Sequence, residues 1–286
     1  MLGLIVVASE SGPGLSPADL FEPLLGAPLL VRAVAGALPT NEAVSGVLVV
    51  PADLVERASA EVARFGLDEI DRVVPGGPDT ASAIRAGLEA LPGDVEWVIL
   101  QEGGRALSPS GLVDRVIEAA RGSDAAAPAV PLRGYVVADE DGSLTPLQAR
   151  TRLRELQSPQ VFRVDLLREA FAADVADADA AEAVAQGGAS VTLIDGDPDN
   201  LLLAAPADVS RALEVFSRRA VDYAFVYPKD LLPDDPLAAA LDPGEVPGEV
   251  DGLAREAVPE PYEADAHIPE TDETTRMPAA PGPDEG

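Results

Sequence analysis

Three short stretches of this chain carry residue types that could hold an anion or a metal ion. The first, Ala8-Ser9-Glu10-Ser11-Gly12-Pro13-Gly14-Leu15-Ser16-Pro17-Ala18-Asp19, follows an apolar run and offers glycines at Gly12 and Gly14, while Pro13 removes one backbone donor. The second, Gly76-Gly77-Pro78-Asp79-Thr80, reads as a glycine turn entering a helix, where free amides can hold an anion. Capping by Asp79 or Thr80 would use the same amides. The third, Gln101-Glu102-Gly103-Gly104-Arg105-Ala106, sets the Glu102 carboxylate and the Arg105 guanidinium just beyond an apolar run. Gripping phosphate would also need fixed positive charge where negative charge builds up. That charge is scarce: Lys229 is the single lysine, and no arginine precedes Arg32. The lone histidine, His267, has no second ligand near it and supports neither a metal site nor acid–base chemistry.

The elements that must position these residues follow from periodicity. Short β-branched runs at Leu2–Ala8, Gly46–Val50, Arg72–Val74, Trp97–Leu100, Ala125–Val130 and Val191–Ile194 read as strands. Helical spacing marks Pro28–Leu38, Ala52–Phe65, Thr80–Leu91, Pro109–Ala120, Val164–Ala172, Ala178–Gln186 and Pro206–Tyr223. This alternation predicts an α/β fold, a Rossmann-like, mostly parallel sheet with helices on both faces and ligands at the carboxyl ends of the strands. Pro131–Ala149 interrupts the pattern: a polar turn Asp139–Ser143 between Tyr135–Val137 and Leu144–Leu147 is a hairpin signal, read as an inserted arm for a partner.

Composition divides the chain into a body, Met1–Tyr227, and a tail, Pro228–Gly286. The tail has 16 acids against 3 bases, frequent Pro and Gly and few large apolar residues, and is read as disordered. The body has a net charge of −17, which should repel nucleic acid and anionic membranes. The absence of cysteine excludes disulfides, thiolate chemistry and cysteine-ligated zinc. The apolar run Leu2–Ala8 lacks a basic segment before it and is far shorter than a membrane span, so a cytoplasmic location is expected.

Several segments, in order, resemble the 2-C-methyl-D-erythritol 4-phosphate cytidylyltransferases and their ribitol-phosphate relatives. They are Phe21–Leu30, Val74-Pro75-Gly76-Gly77 followed by Ala86-Gly87-Leu88, Gln101–Ala106 after a Trp-Val strand, and Pro128-Ala129-Val130-Pro131. Gln157-Ser158-Pro159-Gln160-Val161-Phe162 and Gly196-Asp197-Pro198-Asp199-Asn200, then Pro206-Ala207-Asp208, continue the series to the end of the body. The resemblance implies a nucleotidyltransferase, GT-A-like domain that forms a homodimer through its hairpin arm. It also implies transfer of a cytidylyl group from CTP to a polyol phosphate with Mg2+, in an isoprenoid precursor pathway.

Carried over residue by residue, it assigns nucleotide binding to Gly12, Gly14, Gly76, Gly77, Ser82, Glu102 and Arg105, and the metal to Glu102. Arg150 and Asp179 fall to the sugar phosphate. Each residue also has an ordinary reading. Arg105 could be a surface cation or part of an ion pair, Arg150 part of a solvated basic face with Arg152 and Arg154, Asp179 a helix N-terminal acid, and Asn200 a turn residue. The chain departs from the family where charge matters. Its two lysine positions are Asp19 and Leu202, the loop arginine is missing, and the arginine and serine near the glycine pair are Thr80 and Ala83, with Ser82 one residue out of register. The expected Asp-Thr pair after Pro131 reads Gly134-Tyr135. Two functions follow: a catalytically impaired relative acting as a binding or regulatory protein, or an active cytidylyltransferase with a rebuilt phosphate site.

Overall fold

A computed structural model describes residues 1–8, 15–132, 138–140, 143–145, 153–172 and 179–219. Grouping by contact gives two units, Met1–Leu241 and Asp242–Gly286. The second unit, the expected boundary at Tyr227–Pro228 and the tail expected to be disordered lie outside the described residues.

The strands are β1 (Leu2–Val7), β2 (Pro23–Leu24), β3 (Ala27–Pro28), β4 (Val44–Val50), β5 (Ile70–Pro75), β6 (Trp97–Glu102), β7 (Ala125–Pro131), β8 (Ala138–Glu140), β9 (Ser143–Thr145), β10 (Arg154–Leu156), β11 (Gln160–Arg163) and β12 (Val191–Asp195). The helices are α1 (Leu29–Gly36), α2 (Val55–Arg64), α3 (Thr80–Ala90), α4 (Leu112–Arg121), α5 (Val164–Ala170), α6 (Ala180–Gln186) and α7 (Pro206–Arg218). Short 3-10 turns cover Pro17–Phe21 and Ala52–Leu54. No helix among the described residues is long and apolar enough to cross a membrane.

One sheet runs β5-β4-β1-β6-β11-β7, with β12 also paired to β7. Neighbours β5, β4, β1 and β6 are parallel, as are β7 and β12, whereas β11 runs antiparallel to both β6 and β7. β10 pairs antiparallel with the far end of β7, so residues 157–159 carry the chain from one pairing to the other.

Alternation along the strands builds two cores. Leu4, Val6, Leu48, Ile99 and Val161 face α1, α4 and α7, while Ile5, Val47, Val98, Leu100 and Phe162 face α3, α5 and α6. Both faces being covered, the strands read as unbroken apolar runs. α3 lies so close to β1 that a Cβ on Gly87 would stand 2.6 Å from the Ile5 methyl.

The expected strands and helices are all present, with ends moved by a few residues. The paired hairpin strands are Ala138–Glu140 and Ser143–Thr145, which corrects the expected turn: Asp139, Glu140 and Ser143 are strand residues. Their register leaves only Asp141-Gly142 between them in sequence, the pair that two-residue hairpins favour. Tyr135–Val137 and the rest of the expected arm lie outside the described residues. Strands β2, β3, β10 and β11 were not legible: each is two to four residues long, and their pairing comes from distant or turn-bound partners rather than from local pattern.

Candidate functional site

Parallel pairing brings the ends of three strands to one edge. Val7 lies opposite Glu102, and beyond them Gly103 N donates to Val7 O at 2.8 Å. Ala8 N donates to Val49 O and Gly76 N to Val50 O, each at 2.8 Å. The loop after β1, the Gly76-Gly77 turn and the Glu102–Arg105 segment therefore leave the sheet together, at the carboxyl edge where ligands bind in open α/β sheets.

At this edge the Glu102 carboxylate is held from one side. Its Oε2 accepts from Arg105 Nε, and Ser158 Oγ lies 3.3 Å from the same oxygen. Ser158 Oγ also accepts from Glu102 N at 3.1 Å. Oε1 has no hydrogen-bond partner among the described residues, and the side chain is 42% exposed.

Arg105 is no surface cation: it is only 4% exposed. Besides Glu102, its guanidinium donates to Asn200 O at 2.9 Å and Leu156 O at 3.0 Å. Its donors thus join the ends of β6, β10 and the closing segment after β12. Asn200 is the turn residue expected, its N donating to Asp197 O at 2.9 Å, but it is fully buried, and its Nδ2 donates to Ser158 O at 2.8 Å. Gln157 completes the knot: Nε2 donates to Asp197 O and Asn200 O, and Oε1 accepts from Asp197 N. A Cβ on Gly196 would strike Gln157 Oε1, so that glycine admits the amide. Arg219 at the end of α7 clasps the same segment, 2.7 Å from Asp197 Oδ1 and 3.3 Å from Asp199 Oδ2.

Sheet parity places a second acid beside Glu102. Glu102 shares the face of Val98 and Leu100, and Gln160 that of Phe162, the face on which α6 packs. Asp179 caps α6, accepting from Ala181 N at 2.8 Å and from Gln160 Nε2 at 2.9 Å. Burial, foremost, pushes its carboxyl above the ordinary value, and the charge of Glu102 adds to the rise. Donation from Gln160 and from the Ala181 and Glu182 amides works against it.

The glycine turn serves the protein's own backbone. Asp79 accepts from Ser82 N at 2.7 Å, and Ser82 Oγ accepts from Asp79 N at 3.2 Å, a reciprocal cap on α3. The Ser82 amide foremost, then the Ser82 hydroxyl, with Arg85 adding least, hold the Asp79 carboxyl below its ordinary value. A Cβ on Gly77 would collide with Ser82 Oγ, and one on Gly76 would meet Val49 and Ala83 at 3.0 and 3.2 Å. Both glycines thus have packing reasons to be glycine.

Asp19, at the first lysine position, is likewise engaged: its Oδ2 accepts from Ser16 N at 2.7 Å and Ser16 Oγ at 2.8 Å, capping the 3-10 turn. That turn is fastened to the other lysine position's strand of chain, because Leu15 N donates to Ala204 O at 3.0 Å. Leu202 is half-buried and apolar. Gly12, Gly14 and Arg150 lie outside the described residues.

Among the described residues no three His, Cys, Asp or Glu side chains converge as a metal site. Glu102 Oε1 could supply one ligand to Mg2+, which is commonly held by one or two carboxylates plus substrate phosphates. Ser158, Gln157 and Gln160 were not singled out from the sequence. Their signal was the Gln-Ser-Pro-Gln run, whose roles depend on where residues 157–159 cross the sheet.

Comparison with known proteins gives a consistent neighbourhood. The family model described as 2-C-methyl-D-erythritol 4-phosphate cytidylyltransferase matches residues 3–218. A protein of that name from Nocardia farcinica is 37% identical over 202 residues, which span 70% of this chain and 86% of the relative. Another from Streptomyces avermitilis is 35% identical over 227 residues, 75% of this chain and 89% of the relative. The crystal structure of the Thermus thermophilus protein of that name superposes with a TM-score of 0.60 at 24% identity, covering 74% of this chain and 98% of that one. The 4-diphosphocytidyl-2C-methyl-D-erythritol synthase from Anaerococcus prevotii gives 0.64 at 19%, covering 76% and 96%. The last two likenesses speak to fold.

Proposed function

This chain belongs to the 2-C-methyl-D-erythritol 4-phosphate cytidylyltransferase family, and from that premise we propose that it is a catalytically impaired member acting as a binding or regulatory protein. The observation that carries this reading is Asp19. The family resemblance puts a lysine there, and here a carboxylate is tied into a backbone cap. Replacing cation by anion turns attraction for a triphosphate into repulsion, and Leu202 offers nothing in compensation. Arg105 does not make up the deficit, since it is buried and its guanidinium is turned to Glu102, Asn200 O and Leu156 O. Each lost preorganised charge typically costs on the order of 3 kcal/mol of barrier.

The test is titration of CTP with Mg2+ into the full chain, followed by a pyrophosphate-release assay with 2-C-methyl-D-erythritol 4-phosphate and other polyol phosphates. Absence of both binding and release supports impairment. Sustained release would refute it.

A second reading, an active enzyme, is favoured by the 37% identity to the Nocardia farcinica protein and by the intact frame around Glu102. In that reading CTP and a polyol phosphate bind at the strand ends and Glu102 holds Mg2+. Asp179 then meets the acceptor, and an arginine from outside the described residues supplies the missing charge. In both readings we place the protein in the cytoplasm as a homodimer joined by the hairpin arm. Sedimentation of the full chain as a monomer would remove the dimer.

A further inference from the structure

Away from this edge, α3 and α5 enclose a groove of about 280 Å3 lined by Arg85, Leu88, Glu89, Arg168, Phe171 and Ala172. We propose that this groove binds a small molecule with a single anionic end, a phosphate monoester or carboxylate, and a short apolar body. Both walls repeat one spacing, an arginine followed three and four residues on by the rest of the lining: Leu88 and Glu89 follow Arg85 within α3, and Phe171 and Ala172 follow Arg168 just past the end of α5. The floor is apolar, since Leu88 and Phe171 are 4% and 1% exposed.

Charge at the groove is only partly cancelled. Glu89 stands one turn after Arg85, the less favourable order for a helical ion pair, and no ion pair joins them among the described residues. Arg85 makes no hydrogen bond among the described residues either. Arg168 is directed across the groove by donating from Nη2 to Leu88 O at 3.2 Å, which leaves its other donors available to a ligand. In a body of net charge −17, two guanidinium groups with no ion pair among the described residues, against the one carboxylate of Glu89, make a local exception to the repulsion of anions. Glu89 at the rim sets the selectivity: a second anionic group on the ligand would meet its carboxylate. The volume sits at the lower end of small-molecule sites, which limits the apolar body to a few carbons.

The probe is n-butyl phosphate, titrated calorimetrically into the full chain at low salt beside inorganic phosphate and 1,4-butanediol bisphosphate. Butyl phosphate is expected to bind at about 1 mM or tighter, and the other two more weakly. Arg85→Gln with Arg168→Gln should weaken it about tenfold or more, while Glu89→Gln should tighten it and admit the bisphosphate. All three substitutions fall at partly or fully exposed positions, so unchanged circular dichroism can establish that the fold persists. Undiminished binding by the double variant, equal binding of inorganic phosphate, or no binding by the wild type would each overturn the proposal. CTP titration reports on the strand-end site independently, so failure of one assignment leaves the other standing.

Discussion

The two sides of the candidate site have met different fates. On one side, Gln157, Ser158, Asn200 and Arg105 form a buried knot, with the half-exposed Glu102 at its edge, whose donors join three segments of chain. On the other, Asp19 and Leu202 occupy positions where the family resemblance puts lysines. The knot residues hold three segments of the fold together, so losing one would leave buried polar groups unpaired. A lysine reaching for a phosphate has no such duty. It can be lost without cost to folding, and the backbone around Asp19 even gains a cap by its replacement. A family's recognisable motifs can therefore persist for reasons of stability after the charges that serve catalysis are gone.

The strongest way to break this comparison is Arg105→Met. It keeps the volume of the side chain but removes a donor from Asn200 O, which keeps Gln157 Nε2, and from Leu156 O, and leaves Glu102 without its guanidinium partner. Unfolding in urea should show a loss of about 3 kcal/mol, the partial exposure of Glu102 keeping the figure from being larger. A loss below about 0.5 kcal/mol would mean that the knot has no structural role, and the survival of its residues would need a functional explanation.

The opposite side is sharpened by restoring what is missing. Asp19→Lys with Leu202→Lys should tighten CTP binding about tenfold at low salt, equivalent to roughly 1.4 kcal/mol. The gain should shrink as salt screens the new charges. Unchanged affinity would show that the phosphate side has been lost in shape as well as in charge. Asp19→Ala probes the folding role alone: without the cap on the Pro17–Phe21 turn, stability should fall by about 1 kcal/mol. If it does not fall, Asp19 is a neutral replacement and the cap an incidental contact.

Much of this organisation was legible beforehand, and the limits have physical causes. The two-sided burial of β1, β4 and β6 wrote itself into the sequence as apolar runs, and the glycine and carboxylate segments fell at their ends. Glu102 could be placed because strand order and parity fix where it emerges. Burial of Arg105 could not, because it depends on three carbonyl or carboxylate acceptors from segments up to 95 residues apart. The same holds for Ser158, which lies between β10 and β11, and for Gln160, which begins β11: these strands are three and four residues long and pair only with distant chain. Asp79 was readable as a cap from local spacing alone, with Thr80 as the alternative, while the resemblance gives its partner Ser82 to the nucleotide and the Ser16–Asp19 cap hid behind the expectation of a phosphate loop.

Asp179 lies beside the knot, within reach of the Glu102 charge, and gives the smallest, most specific effect. Its carboxyl is raised by burial and by Glu102, so between the ordinary aspartate value and the folded one the native state holds more protons than the unfolded state. Stability then falls as pH rises through that window, and the cost of ionising Asp179 stays constant above it. The uncharged amide of an Asp179→Asn variant has no such cost, can still cap α6 through its oxygen, and can still meet the Gln160 amide. The stability of the variant relative to wild type should therefore climb as pH rises from about 3.8 and then level off. Unfolding curves collected across that range with and without Mg2+ would show it. A relative stability that instead declines toward neutral pH would mean that the native fold favours the Asp179 anion, and a decline seen only with Mg2+ would make Asp179 and Glu102 the two carboxylates of a cation site.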